Sequence, residues 1–395
     1  MTYKDWITCT PVAFRGDEKT FFSRDSGLCS RTLQALGAQA KVVMPEPEWD
    51  DESDVLRVPY GRLGDPGFWR EQNSEAVIYY SWADPRHTPI ARAIKAAGLK
   101  LFINIDTGGL ISPFVEPWAY IRMIMVSEVQ RKGWGLGSLF TACRLVYQCV
   151  GIHKHLLRLR HMNYADAIGV VSPIGAERIK RYARFFGRDD IARKIHFVSH
   201  PIDQAMNYGG CSKYEQIIIV GRWDDSVKRP ELLIAVAVKV LSRNTTVRFV
   251  IVGKEATRCV AEIEAQTSES NGRVVGYERL EHDQLCEQMC LSQISLCTSY
   301  SEGFHTVSGE ALLCGCSIVA PLSPYLPSLT YFVGEGHSGR LSKNNPDSLA
   351  EAVLMELVAW QHGRRDPAAI ANTWSGLVGC RAVVQKIDAL LSQAK

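Results

Sequence analysis

Long apolar runs are scarce in this chain of 395 residues: none reaches the roughly eighteen uninterrupted apolar residues that a membrane-spanning helix needs. The opening segment MTYKDWITCTPVAF has no basic stretch followed by an apolar one, so no secretory leader is expected. No Cys-x-x-Cys pair occurs among the twelve cysteines. Cys286 and Cys290 stand one helical turn apart and Cys314 and Cys316 flank a glycine, but neither group has a second ligand pair at zinc spacing. The expectation is therefore no metal and no cofactor. A chain of this size does not need disulfides, which favours reduced thiols and a cytoplasmic setting; Asn244-Thr245-Thr246 then matches the glycosylation sequon by chance. Strong charge of either sign is also missing. With 45 basic and 42 acidic residues the net charge is +3, which points to no partner by itself. No recognition module accompanies the basic stretches, so nucleic acid is not an expected partner. Repeats and low-complexity segments are absent.

What the chain does have is alternation. In the second half EQIIIVG, VRFVIVG, RVVGY, ISLCTS and SIVAP are short β-branched runs, separated by the helical patterns RPELLIAVAVKVLSR, ATRCVAEIEAQTS, LEHDQLCEQMCLS and TVSGEALLCG. Strand and helix in alternation imply right-handed crossovers and a parallel sheet. The first half alternates less cleanly, through WITCTPV, AKVVMP, AVIYYSW, LKLFINID, AIGVVS and KIHFVSH, and reads as a second doubly wound domain carrying insertions. The turn-rich segment 200–214 is the expected linker. The fold class is α/β: two Rossmann-like domains, residues 1–204 and 205–373, facing each other across a cleft. Ligands are expected at the carboxyl ends of the strands.

Two motifs fall there. In CTSYSEGFHTVSGEALL a strand ends near Ser299, a loop runs through Glu302-Gly303-Phe304-His305, and a helix begins near Thr306. Free backbone N–H groups at a positive helix terminus suit a phosphate, and Gly303 lets the backbone approach a ligand closely. Glu302 precedes the helix and Glu310 lies in its second turn, so the two carboxylates reach different places. The plainer alternative is an ordinary turn with Thr306 as cap and Glu310 in solvent. The second motif, GRWDDSVKRP, puts Arg222 and Lys228 in the loop after IIIV. A planar fork and a point charge could clamp a diphosphate, or could simply be solvated. Both loops open on one edge of one sheet.

With those residues in place, the chain from about residue 163 onward resembles the nucleotide-sugar domain of family-4 retaining glycosyltransferases of the GT-B fold. The hallmark is two glutamates separated by seven residues, here Glu302 and Glu310, preceded by a GR…K loop, here Gly221, Arg222 and Lys228. YADAIGVVSPIGAERI and KIHFVSHPID resemble the end of the family's acceptor domain, and TWSGLVGCRAVVQKIDALL resembles its last helix, expected over 374–395 and packed back on the first domain. The first 160 residues match only in outline.

The resemblance implies roles. Arg222 and Lys228 would hold the diphosphate of a nucleotide sugar, UDP-linked by family frequency. Glu310 would bind the ribose and Glu302 the donor sugar. Backbone N–H groups of Phe304, His305, Thr306 and Val307 would cradle sugar and phosphate, Tyr277 would lie near the base, and Gly27 would let the first domain approach the phosphates. The chemistry would be metal-independent transfer of a hexosyl group with retention, by front-face attack, the leaving phosphate taking the acceptor's proton. Two departures stand out. Residue 305 is histidine where relatives often have a small residue, and a sugar contact is the favoured reading. Asp106 stands where the family's acceptor domain usually has a histidine, and either handles the acceptor's proton or hydroxyl or only caps a turn.

From Gln130 to Ala165 there is no acidic residue, while Arg131, Lys132, Arg144, Lys154, Arg158 and Arg160 interleave with Trp134, Leu136, Leu139, Phe140, Leu145 and Val146. Such a surface could rest on anionic lipid at the inner face of a membrane, giving access to a lipid-linked acceptor, or could be a helix packed in its domain with its charges in solvent. A sugar phosphorylase of related fold and a non-catalytic homologue that binds nucleotide or glycan are the competing functions.

Overall fold

The computed structural model describes residues 1–14, 18–46, 55–334 and 338–394; of Glu18, Gln130 and Arg131 it describes the backbone alone. They form two units, residues 1–203 with 380–395, and residues 204–379.

The first unit is built on seven strands: β1 (Asp5–Cys9), β2 (Gln39–Pro45), β3 (Val55–Val58), β4 (Ala76–Tyr79), β5 (Lys100–Ile105), β6 (Ala167–Val170) and β7 (Ile195–Phe197). All pair in parallel, in the order β3-β2-β1-β4-β5-β6-β7. The helices in chain order are α1 (Glu18–Phe22), α2 (Asp25–Ala35), α3 (Pro66–Glu71), α4 (Thr88–Ala96), α5 (Pro117–Lys132), α6 (Trp134–Val150), α7 (Ile152–Asn163), α8 (Pro173–Phe185) and α9 (Asp189–Lys194). Strand periodicity sorts the core into two layers. Ile7, Val43, Val77 and Ile103 face one cluster; Trp6, Ala76, Ile78 and Phe102 face the other.

That second layer is completed from the far end of the chain. Val383, Val384, Ile387 and Leu391 of α17 (Cys380–Gln393) pack with Trp6, Leu33 and Phe102. Asp388 accepts the backbone N–H groups of Thr2 and Tyr3 at 2.7 and 3.3 Å. The expected helix over 374–395 is in fact two, α16 (Pro367–Val378) and α17, broken at Gly379. A Cβ there would lie 2.5 Å from the Ser375 carbonyl, and the Cys380 N–H turns to the Ile202 carbonyl at 2.9 Å instead of continuing the helix. Only α17 belongs to the first unit.

The second unit has six parallel strands, β8 (Tyr214–Val220), β9 (Arg248–Val252), β10 (Val274–Tyr277), β11 (Ser292–Leu296), β12 (Ser317–Pro321) and β13 (Gly339–Ser342), in the order β10-β9-β8-β11-β12-β13. Its helices are α10 (Pro230–Leu241), α11 (Ala256–Gln266), α12 (His282–Leu291), α13 (Thr306–Leu313), α14 (Pro327–Gly334), α15 (Pro346–Gln361) and α16. Ile217, Ile218, Phe249, Ile251, Ile294 and Ile318 are fully buried, as strands covered on both faces require. Chain direction across the sheet reverses between β8 and β11. The loops that follow these two strands therefore diverge and leave a crevice.

Candidate functional site

The β8 loop is folded by its own residues. The Asp225 carboxylate accepts the Val227 N–H at 3.0 Å and starts a short turn over Ser226–Lys228. Trp223 is buried, donating its indole N–H to Val252 O at 3.2 Å. Gly253, after β9, sits at φ +115° with its Cα against the Gly221 carbonyl; a Cβ there would come within 1.9 Å of that oxygen. Gly253 is required by this fold but carries no motif that sequence reasoning could use.

The β8 and β11 loops are then tied together. Thr298 Oγ1 donates to Lys228 O at 2.7 Å and the Tyr300 N–H to Val227 O at 2.7 Å. The loop after β12 holds the other side: the Glu302 N–H donates to Tyr325 O at 3.0 Å, and the Tyr300 and Tyr325 rings stack at 5.1 Å. In this frame Lys228 Nζ meets Glu302 Oε1 at 2.6 Å, each side chain less than one-fifth exposed. The structure thus joins two of the motif residues, 74 positions apart, directly across the crevice. Arg222 belongs to the same loop but is 73 % exposed and rests on Asp225 at 3.2 Å. Glu310 lies in the second turn of α13, half-buried. Tyr277 ends the edge strand β10, more than a third exposed, with its carbonyl accepting the Gly253 N–H.

The structure alters the picture of the α13 terminus. The cap is His305 rather than Thr306: His305 Nδ1 accepts the Ser308 N–H at 3.3 Å and stands 2.7 Å from Ser308 Oγ. An imidazole can cap a helix through an unprotonated nitrogen, and burial pushes this one down to about 4, so it is neutral. Of the four N–H groups expected to cradle a ligand, that of His305 already donates to Ser328 Oγ at 3.1 Å and that of Thr306 to Phe304 O at 3.2 Å. Phe304 is buried against Phe332, ring centroids 5.3 Å apart. A sugar hydroxyl would therefore have to meet His305 through Nε2, since Nδ1 is used by the helix.

Asp106 belongs to the first unit, directly after β5, and lines a pocket of about 300 Å³ with Thr10, Arg24, Asp25, Tyr80 and Trp82. Sequence reasoning missed the pair beside it. His200 Nε2 lies 2.7 Å from Asp25 Oδ1. Burial alone would lower the His200 pKa, but the Asp25 carboxylate outweighs it and raises it. Burial would likewise raise Asp25, yet His200 and Arg24 draw it down to about 2. The residues are 175 positions apart, so no local pattern links them. Gly27 serves packing: it is buried in α2, and a Cβ would lie 2.5 Å from Phe21 O and 2.8 Å from its ring.

The acid-free stretch forms α6 and α7, and much of its apolar surface is exposed: Trp134 by 74 %, Leu139 by 59 %, Val146 by 62 % and Val150 by 77 %. Lys132 and Arg144 are paired with Glu128 at 3.3 and 3.2 Å. Lys154 lies over the Tyr147 ring. Leu145 is half-buried, and the side chains of Gln130 and Arg131 fall outside the described residues. Among the described residues no single helix is long and apolar enough to cross a membrane; α6 and α7 reach that length and composition together but are bent by 63°.

Comparison with known proteins gives this geometry a context. Residues 214–357 match the family described as Glycosyl transferases group 1. No curated protein matches the sequence significantly. Solved structures match over nearly the full length at low identity. Sucrose-phosphate synthase from Thermosynechococcus elongatus is 15% identical with a TM-score of 0.62, over 98% of both chains. Anabaena HepE in complex with UDP is 14% identical with a TM-score of 0.62, over 98% of this chain and 99% of that one. A glycosyltransferase from Rickettsia africae is 13% identical with a TM-score of 0.63, over 99% and 98%. The chain has the GT-B fold, and the match to the Glycosyl transferases group 1 family falls within its second unit.

Proposed function

We propose that this protein is a retaining, family-4-type glycosyltransferase that moves a hexosyl group from a nucleotide-diphosphate sugar, UDP-linked, to a hydroxyl of a saccharide or lipid-linked acceptor. The observation that carries the reading is the Lys228–Glu302 pair at the reversal point of the second sheet, beside the N-terminus of α13. HepE bound to UDP and to UDP-glucose, at 14% identity, supports the donor class.

In this reading the diphosphate enters between Lys228 and Arg222, and the ammonium exchanges its carboxylate partner for phosphate oxygens. Glu302, released, hydrogen-bonds the donor sugar, and Glu310 accepts from the ribose. The bond from the anomeric carbon to the phosphate oxygen breaks as the acceptor oxygen bonds to that carbon on the same face. The acceptor's proton passes to the departing phosphate. Two cations and the positive helix terminus stabilise the charge that develops on the leaving group, so the transfer step needs no metal. Asp106, in the first unit's pocket, bonds an acceptor hydroxyl, and Tyr277 flanks the base. The exposed apolar side chains of α6 rest on an anionic membrane surface, where a lipid-linked acceptor would be presented.

Thermal unfolding with UDP, GDP, ADP and inorganic phosphate tests the reading. UDP is expected to raise the midpoint most. Stabilisation by phosphate alone would favour the phosphorylase, and nucleotide binding without donor hydrolysis or transfer would favour a non-catalytic protein.

A further inference from the structure

At the opposite end of the second sheet from Lys228 and Glu302, three thiols meet. Cys286 and Cys290 lie on one face of α12, and Cys314 directly follows α13, so Cys290 and Cys314 sit just before the strands β11 and β12 begin. A five-residue strand is about 16 Å long, which separates this cluster from the loops at the carboxyl ends. All three sulfurs lie within 4.8 Å of one another, and Cys286 Sγ is 3.9 Å from Cys314 Sγ.

We propose that Cys286, Cys290 and Cys314 form a three-thiolate site for a thiophilic d10 cation, Zn²⁺ or Cu⁺, which fastens α12 to the end of α13.

The spacing suits the ligand. With metal–sulfur bonds of about 2.3 Å, three ligating sulfurs stand about 3.8 to 4.0 Å apart, so closure requires shifts of at most about 1 Å. Soft thiolates select this class of ion. Access is also present: Cys290 and Cys314 are buried, but Cys286 is half-exposed. One neighbouring cation favours a charged centre: the Lys213 ammonium donates to Cys314 O at 2.6 Å and Met289 O at 3.0 Å, while the Cys290 and Cys286 thiols donate to Asn207 O at 3.2 Å and Ala205 O at 3.5 Å and give up those bonds on losing their protons. That cation offsets the net negative charge of three thiolates on a divalent ion. A bound cation takes the place of the thiol protons, which are released as it binds. Among the described residues no fourth side chain joins the three sulfurs within 4.8 Å, so water fills a fourth position.

The test uses the full chain, reduced, stripped with chelator and titrated anaerobically with Cd²⁺ and then Zn²⁺. Expected are one Cd²⁺ per chain, an ultraviolet thiolate-to-metal charge-transfer band of three-sulfur intensity, proton release, and a higher unfolding midpoint with Zn²⁺. Cys286→Ser and Cys314→Ser should each weaken binding by at least about a hundredfold, more than loss of a supporting group costs, whereas Cys143→Ser, exposed on α6, should not. Absence of the band in the reduced wild-type protein overturns the proposal whether or not the variants fold. A band undiminished in either serine variant overturns it as well.

Discussion

Replacing Lys228 by alanine separates the contributions of one residue to stability and to turnover. The ammonium sits 2.6 Å from Glu302, and the two side chains are 17 % and 18 % exposed. Removing it strands a carboxylate that is largely out of water. A fully buried pair broken this way loses about 3–5 kcal/mol, and a charged hydrogen bond near the surface about 1.5–3 kcal/mol. The exposure here points to the lower range, about 2 kcal/mol. Turnover should suffer more. If Lys228 stabilises the leaving diphosphate, its loss should cost about 2.7–4 kcal/mol of barrier, roughly a hundredfold to a thousandfold in kcat. Urea unfolding gives the first number, and nucleotide release from a UDP-sugar gives the second. The double variant Lys228→Ala/Glu302→Gln completes the argument. With the stranded charge removed, stability should recover by more than half while turnover stays low. Turnover within threefold of wild type in Lys228→Ala, with unchanged UDP affinity, would refute the assignment of the crevice as the donor site.

The other predictions concern the frame around it. His305→Ala should lower stability by about 1–2 kcal/mol through loss of the α13 cap, and His305→Asn, which restores a capping oxygen, should recover part of it in urea unfolding. Both His305 and His161 are held by burial at about 4, below the 6.5 of an unfolded histidine. The unfolded chain thus binds more protons between those values, and the stability they supply, complete above pH 6.5, is lost as pH falls toward 4. The wild-type protein should show a steeper fall in unfolding midpoint over that window than His305→Asn. Gly253→Ala should fail to give folded protein, because the new Cβ meets the Gly221 carbonyl at 1.9 Å. Gly272→Ala, at φ +70° with nothing within 4 Å, should cost only about 1 kcal/mol in the same expression and unfolding assays. Leu139→Ser/Val146→Ser should reduce co-flotation with anionic vesicles without lowering the unfolding midpoint, since both side chains are more than half exposed. Equal flotation of variant and wild type would remove α6 as the contact.

Much of this was legible in the residues. Strands buried on both faces carry unbroken runs such as Ile217-Ile218-Ile219, and every run in the second half is a strand in the structure. Several of the elements missed carry weaker signals. β13 is a half-buried edge strand reading Gly-Arg-Leu-Ser, and β3 has four residues. α5 to α7 were obscured because their apolar residues face solvent as well as the core, which blurs the helical period. Lys228 and Glu302 could be recognised because each stands at a fixed offset from its own strand. The Asp25–His200 pair and the thiol cluster depend on tertiary proximity across 175 and 28 positions. His305 was visible as an oddity, but its use as a cap depends on backbone geometry that one residue does not reveal.

The closing of the first core by α17 has a consequence for how the protein is made. Residues 204–379 are one uninterrupted block, so the second unit closes with residues that are all made before α17. The first unit waits: until Val384, Ile387 and Leu391 emerge, Trp6 and Phe102 lack the layer that shields them. The residues of the first unit are therefore complete only after those of the second, the reverse of their order in the chain. Until then a nascent polypeptide carries an open apolar sheet face, and a chain interrupted within α17 damages the first fold rather than the second.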